Sequence, residues 1–334
     1  MHLRRFLAVL SARNREFMRD HMALSWNIVL PVLIVMGFAF AFTSDNRDLF
    51  KVGFQGGHED AAGLAQFFAT RHIRFLPTED LDRAVTKVKR HQLDMLLDIP
   101  GQRYWINETS ANGYILERLL TASGAPLRKQ TVSGDEIRYV DWLIPGVLGM
   151  NIMFSSLFGV GFVIVRYRKN GVLKRLMATP LTPLEFLSAQ VVSRLWLIVL
   201  VSVLVYTGTN LFVDFRMYGS YLTLLLVLVL GTLSMISLGL IVAARMTNEE
   251  AANGLLNLIS WPMILLCGVW FSLEGSPVLV QQFAQLLPLT HIVDAARAVM
   301  IDGAGLAAIS HHLLILGLMT TLFMTIGAKG FRWE

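Results

Sequence analysis

The chain has 334 residues, of which 54% are hydrophobic and only 16% carry charge; soluble domains carry about 25% charged residues, so the balance excludes an ordinary soluble protein and indicates a membrane protein. The net charge of +5 concentrates beside apolar runs, where membrane topology accounts for it, so it does not indicate a nucleic-acid partner. The one cysteine, Cys267, lies inside an apolar run and excludes a disulfide framework or a thiolate metal cluster.

In chain order, residues 1–23 set Leu3, Phe6, Leu7, Leu10, Phe17 and Met18 among Arg4, Arg5, Arg13, Arg15 and Arg19 at helical spacing. This predicts an amphipathic helix in the cytoplasmic interface; the plainer reading is a basic stop before the first span. The Arg-rich start does not read as a cleavable signal peptide. Residues 24–43 form the first apolar run, and residues 45–140 break the membrane pattern. There, strand-like Lys51–Gln55, Ile73–Leu76, Leu93–Ile99 and Arg103–Asn107 alternate with helical Ala61–Thr70 and Tyr114–Thr121. A further helix carries Leu81, Val85 and Val88 on one face, with Thr78 or Asp80 as its cap. Alternating strands and helices predict a small α/β domain.

Further apolar runs lie at 142–165, 187–212, 221–244, 254–273 and 311–328. Each is long enough to cross about 30 Å of hydrocarbon as a helix. Residues 274–310 are too polar to span. Pro277–Leu287 and Thr290–Met300 read as short helices split by Pro288, either re-entrant or lying on the surface. The predicted fold is an α-helical polytopic membrane protein with six transmembrane helices and a small α/β extracytoplasmic domain inserted after the first helix. Arginine and lysine cluster in the N-terminal flank, at 166–186, at Arg245 and in the 329–334 tail, against Arg216 and Arg297 on the opposite short flanks. Both termini are therefore expected in the cytoplasm and residues 45–140 outside. Trp142, Trp196, Trp261 and Trp270 fall near span ends, as interfacial anchors do.

The chain lacks G-x-S-x-G, H-E-x-x-H, C-x-x-C and the G-x-x-x-x-G-K-[ST] phosphate loop, so no catalysis and no ATP hydrolysis is expected of it. His291, Asp294 and Arg297 follow one another at helical spacing, which suits local bridges more than a transport path; adjacent His311 and His312 do not make a metal site. No metal and no cofactor is expected. Within the spans, Arg194 lies close to a cytoplasmic end and can snorkel. The lack of acids and lysines at depth argues against an ion-coupled carrier. Asn253 and Asn257 suit hydrogen bonds across helices. Asn151, Phe154, Phe158, Asn253 and Asn257 are the candidate substrate path. Gly231, Ser234, Ser237 and Gly239, and likewise Gly159 and Gly161, permit close helix approach within one chain or across a homodimer.

Residues 166–186 form the most informative segment. Val172, Leu173, Lys174, Arg175, Leu176 and Met177 make a short helical pattern, and Thr179-Pro180-Leu-Thr-Pro183 breaks it before a new helix begins. Topology alone does not need that break, so the segment reads as a structured loop that meets a partner. Leu173, Leu176 and Met177 would be apolar anchors, and Lys174 and Arg175 would orient the encounter.

The stretch Asn170-Gly-Val-Leu-Lys-Arg-Leu-Met-Ala-Thr-Pro-Leu-Thr-Pro-Leu-Glu-Phe-Leu187 resembles the signature loop of ABC-2 type exporter permeases. Its usual form there is a Glu-rich helix, then G-T-L-E-R-L, then T-P-L-[ST]-P. Asp82–Pro100, ending Leu-Leu-Asp-Ile-Pro, and the closing Phe331-Arg-Trp-Glu are similar to the same family, and the likeness covers essentially the whole chain in its order of elements. Two departures stand out: Arg166, Arg168 and Lys169 where acids are common, and Lys174 at a usual Glu position. The resemblance implies a multi-pass permease subunit of a bacterial inner membrane, paired as a homodimer or with a close paralogue. It implies a cytoplasmic ABC ATPase holding ATP and Mg, coupled through Val172–Met177, Thr179 and Pro180. Export of amphipathic small molecules or lipids follows, with a periplasmic adaptor as a further candidate partner. The rival readings are an ion-coupled secondary carrier and a non-transporting membrane sensor or scaffold.

Overall fold

The computed structural model describes residues 3–19, 21–41, 50–56, 64–78, 80–134, 139–215, 217–271, 273 and 277–333. The expected end of the first span at residues 42–43, the start of the expected 61–70 helix, the Arg216 flank and the closing Glu334 lie outside them. In chain order the elements are α1 (Leu3–Arg19), α2 (His21–Ala41), β1 (Phe50–Gln55), α3 (Ala65–Phe68), β2 (Ile73–Pro77), α4 (Leu81–Lys89), β3 (Met95–Asp98), β4 (Arg103–Asn107), α5 (Ala111–Ala122) and β5 (Arg128–Val132). There follow α6 (Tyr139–Ser156), a π-helical stretch (Leu157–Phe162), α7 (Val163–Lys169), α8 (Val172–Met177), α9 (Pro183–Val213), α10 (Tyr221–Ala243), α11 (Glu249–Leu266), α12 (Val278–Ala284), α13 (Pro288–Met300) and α14 (Leu306–Gly330). Two units result, Thr43–Arg138 and the remainder.

The first of these is a five-stranded sheet of order β2-β1-β3-β4-β5. β1 runs parallel to β2 and β3, and β4 runs antiparallel to β3 and parallel to β5. The central β3 is buried on both faces, which is why its sequence is a continuous apolar run rather than an alternation. Met95 and Leu97 pack with Phe67, Leu116 and Leu120, while Leu96 packs with Trp105, Ala84 and Val88. The Leu-Leu-Asp-Ile-Pro motif closes the β3–β4 hairpin. Buried Asp98 accepts from the Gly101 amide at 2.9 Å and pairs with Arg103 at 2.8 Å. Two expectations are corrected. The helix expected over 61–70 is, in the described residues, only the four-residue α3. A fifth strand, β5, was not expected, because its exposed Arg-Lys-Gln-Thr sequence is that of a charged edge rather than of a buried strand.

In the second unit, four helices among the described residues are long and apolar enough to cross a membrane: Tyr139–Lys169, Pro183–Val213, Tyr221–Ala243 and Leu306–Gly330. α2 contributes a shorter apolar stretch, Asn27–Met36. α11 departs from the expected 254–273. It starts at Glu249, because the Asn248 side chain caps the first turn, and it ends before Gly268, whose φ of +67° leaves the helical region. Pro288 does not merely split two helices; it opens α13 at a position where its missing N–H costs nothing. The small-residue stripes are used within the chain: a Cβ on Gly161 would lie 3.0 Å from the Gly239 carbonyl oxygen, and one on Gly231 would lie 2.7 Å from Ile292.

Candidate functional site

The 166–186 segment is built from three local devices. α7 ends at Lys169, two residues before Gly171, whose φ of +69° is a left-handed conformation suited to glycine and whose amide donates back to the Arg168 carbonyl at 3.1 Å. The six-residue α8 follows and is closed by the Thr179 hydroxyl, which donates to the Leu176 carbonyl at 2.6 Å. α9 then opens on a capping box. Thr182 accepts from the Glu185 amide at 3.3 Å, the Glu185 carboxylate accepts from the Thr182 amide at 3.1 Å, and Pro183 occupies the first helical position. The Thr-Pro-Leu-Thr-Pro-Leu-Glu run is thus one helix stop and one helix start in succession. Arg5 of α1 donates to the Pro180 carbonyl and holds the turn from outside.

Burial redistributes the expected anchors. Leu173 is fully buried in the core that contains Ile164, Val165 and Phe186, so it faces the chain's own interior and cannot serve as a docking anchor. Leu176 and Val172 are half-buried. The outward face consists of Lys174, Arg175, Met177, Thr179, Pro180 and Leu184; Met177 is 47% and Leu184 70% exposed. Leu184 was missed in the sequence because it stands after the break, where the helical spacing restarts.

Two arginine clamps seat this segment. Arg168 is buried and donates to the carbonyls of Ala243 (2.9 Å), Ala244 (3.2 Å), Met246 and Arg332 (2.8 Å). A cation is thereby set on the carbonyls that end α10, where the helix dipole favours it. The same contact pulls in the tail, whose Phe331 and Trp333 lie 6.0 and 5.5 Å from the Phe186 ring. Lys169 pairs with Glu249 at 2.9 Å. Two of the three basic residues that stand where the family's acids are common, Arg168 and Lys169, are therefore tethers to α10, α11 and the tail.

The second clamp lies at the π-helical stretch. Where the hydrogen-bond ladder shifts from i+4 to i+5, carbonyls lose their ordinary donors. Arg13 of α1 donates to the Gly159 carbonyl at 3.0 Å, and Arg194 of α9 donates to the Ser155 carbonyl at 3.1 Å. Arg194 is only 8% exposed, with its guanidinium 4.6 Å from the Phe17 ring centre, so it does not snorkel as expected. Arg13 also bonds Glu16 (2.9 Å) and the Tyr167 hydroxyl (3.1 Å). Neither role shows in the sequence, since a π-helical stretch carries no composition signal.

Of the candidate path residues, Asn151 is buried and accepts from Ser155 at 3.3 Å, and Phe154 and Phe158 lie on the same face with rings 6.0 Å apart. Among the described residues, Asn253 and Asn257 make no hydrogen bond across helices. Asn257 donates to the Asn253 carbonyl at 2.9 Å within α11. Among the described residues no hydrogen bond links the two sets. The expected His291–Asp294–Arg297 bridge is also rearranged. His291 turns to α14, with Nδ1 3.0 Å from His312 Nδ1 and Nε2 2.8 Å from the Gln285 carbonyl. Arg297 lies 3.6 Å from the Trp142 ring centre and donates to the Gly268 carbonyl. Burial pushes the Asp294 carboxyl up to about 6 against the pull of Arg297 and His311. The His311 and His312 rings pack on one another at 3.8 Å. No group of three or more metal-ligating side chains occurs among the described residues.

Residues 99–301 match the family model described as ABC-2 type transporter, a segment that contains both clamps' helical partners and the whole α8 loop. The chain is 27% identical over 188 residues to the inner membrane transport permease YhhJ of Escherichia coli (strain K12), covering 54% of this chain and 49% of that one, so it spans about half the length of that relative. It is 22% identical over 339 residues to the probable multidrug ABC transporter permease YbhR of the same organism, covering 91% and 92% of the two chains. To nodulation protein J of Rhizobium leguminosarum bv. viciae it is 31% identical over 113 residues, covering 33% of this chain and 43% of that one. With more than half of its length matched by the family model, including the segment on which the resemblance rests, the chain belongs to the ABC-2 type transporter family.

Proposed function

We propose that the chain is the membrane subunit of an ATP-binding-cassette exporter, energised by a separate cytoplasmic ATPase that holds ATP and magnesium. The observation that carries this reading is the α8 loop. It presents Lys174, Arg175, Met177, Pro180 and Leu184 outward, while Leu173, Glu185 and Arg168 lock its base into the helical core. A partner that moves on ATP hydrolysis needs such a stiff handle, and a flexible topology loop would not transmit force. α2 and α11 join the four long apolar helices as a six-span set, with both termini in the cytoplasm and the α/β unit outside, in a bacterial inner membrane. Two copies, or this chain and a close paralogue, would form the pathway. The apolar spans favour an amphipathic cargo, a drug-like compound or a lipid, and the multidrug name of one relative agrees with this.

Impermeant thiol labelling tests the topology on which the reading stands. The exposed positions are Glu108 in the α/β unit and Lys174 in α8. In a Cys267→Ser background, Glu108→Cys should react in intact cells and Lys174→Cys only after permeabilisation. The reverse pattern would refute the proposal. Transport driven by an ion gradient without ATP would favour the carrier reading instead.

A further inference from the structure

One face of α1 is unusual in being both apolar and basic while held rigidly against a spanning helix. Leu7, Leu10, Ser11, Arg15 and Met18 follow helical spacing along a single stripe and, with Trp196 of α9, line an open groove of about 480 Å³. Asn14, at the centre of the stripe, accepts from the Trp196 indole N–H at 3.2 Å and from the Ser193 hydroxyl, which fixes the two helices at the groove floor. The apolar wall does not stop there. Leu200, Val203 and Leu204 continue the Trp196 face of α9 and are 44%, 50% and 49% exposed. Along α1 the charge is one-sided. Arg15 is exposed and makes no ion pair among the described residues, and Arg4 and Arg19 stand exposed on the same helix. Glu16, the acid of α1, is taken by Arg13.

We infer that the groove between α1 and α9 binds one anionic glycerophospholipid, its phosphate at Arg15 and Ser11 and an acyl chain along Trp196, Leu200 and Leu204. The inference rests on the proposed placement of α1 in the membrane interface. A groove that sets an exposed arginine, with no ion pair among the described residues, beside an apolar wall matches a molecule with a phosphate head and an acyl chain. A zwitterionic lipid would fit the wall but bring its own cation to the arginine. The lipid would act as a wedge that keeps α1, and with it the Arg5 and Arg13 contacts to the loop and the π-helical stretch, in place.

Native mass spectrometry of the purified chain, from micelles holding equal phosphatidylglycerol and phosphatidylcholine, tests this without needing an ATPase or a sidedness. The wild type should retain one phosphatidylglycerol in preference to phosphatidylcholine. Arg15→Gln should lower that retention by about fivefold, the effect of removing one arginine from an anionic lipid surface. Arg15→Lys, which keeps the charge, should restore most of it. Equal retention of the two lipids by the wild type, or unchanged phosphatidylglycerol retention in Arg15→Gln, overturns the site. So does an equal loss in Arg15→Lys. Because thiol labelling reports topology separately, a failure here with normal labelling rejects the lipid site alone.

Discussion

Truncating the outward face of the α8 loop and truncating its root should have opposite consequences. Met177 and Leu184 keep 47% and 70% of their surface exposed, whereas Leu173 keeps none. Burying a whole side chain of this kind is worth about 1.5–3 kcal/mol, so the exposed fractions leave together about 2–3 kcal/mol to be gained on docking. Met177→Ala with Leu184→Ala should therefore weaken ATPase binding by about 30- to 150-fold. The same pair should leave the permease's own stability within about 0.5 kcal/mol, since neither side chain fills its core. Leu173→Ala should do the reverse, costing about 2–5 kcal/mol of folding stability through the cavity it leaves. The assay is co-purification of the ATPase with detergent-solubilised permease, paired with a thermal-shift measurement on each variant. Unchanged ATPase recovery from the double variant, or a large loss of its thermal stability, would refute the division of the loop into an inward root and an outward face.

A Cβ on Gly159 would lie 2.0 Å from Arg194 Nε, so Gly159→Ala must displace the guanidinium from the π-helical stretch. It should lower stability by about 1–3 kcal/mol, read as a fall in thermal midpoint. Gly208→Ala, whose Cβ meets nothing within 4 Å, is the control and should not. Arg168→Gln takes the guanidinium from the Ala243 and Arg332 carbonyls, at about 1–3 kcal/mol for each group left unsatisfied, while the Ala244 carbonyl keeps the Arg332 amide at 3.3 Å. Protease nicking near Phe331 should rise in this variant, and an unchanged digestion pattern would contradict the clamp.

The parts of the account that were legible in the sequence are those with local grammar. Thr182-Pro-Leu-Glu185 spells a capping box with proline at the first helical position, and the structure forms it. The alternation in 45–140 pointed to strands and helices, and Leu93–Ile99 read as a strand, though its burial on both faces as β3 did not. What stayed hidden depends on partners far along the chain. Leu173 and Met177 sit four residues apart and share one hydrophobic pattern, so spacing could not say which of them enters the core. Arg13 and Arg168 read as topology charges, because arginine beside a span is the usual positive-inside signal, and Arg194 as a side chain that snorkels. Their role as donors to backbone carbonyls follows only once α10 ends beside α7 and a π-helical stretch lies beside α1. The start of α11 was misplaced for a related reason: Glu249 and Glu250 look too polar for a span, yet the Asn248 cap draws them into the first turn.

The central claim is that the outward face of α8 docks on a separate ATPase. A photo-reactive benzoylphenylalanine in place of Met177, in cells that co-express the ATPase, tests it at the contact itself. Illumination should yield an adduct of this chain with the nucleotide-binding subunit. The same label at Leu119, exposed on α5 of the α/β unit, should yield none. No adduct from position 177 in cells that still export, or an equal adduct from position 119, would contradict the account.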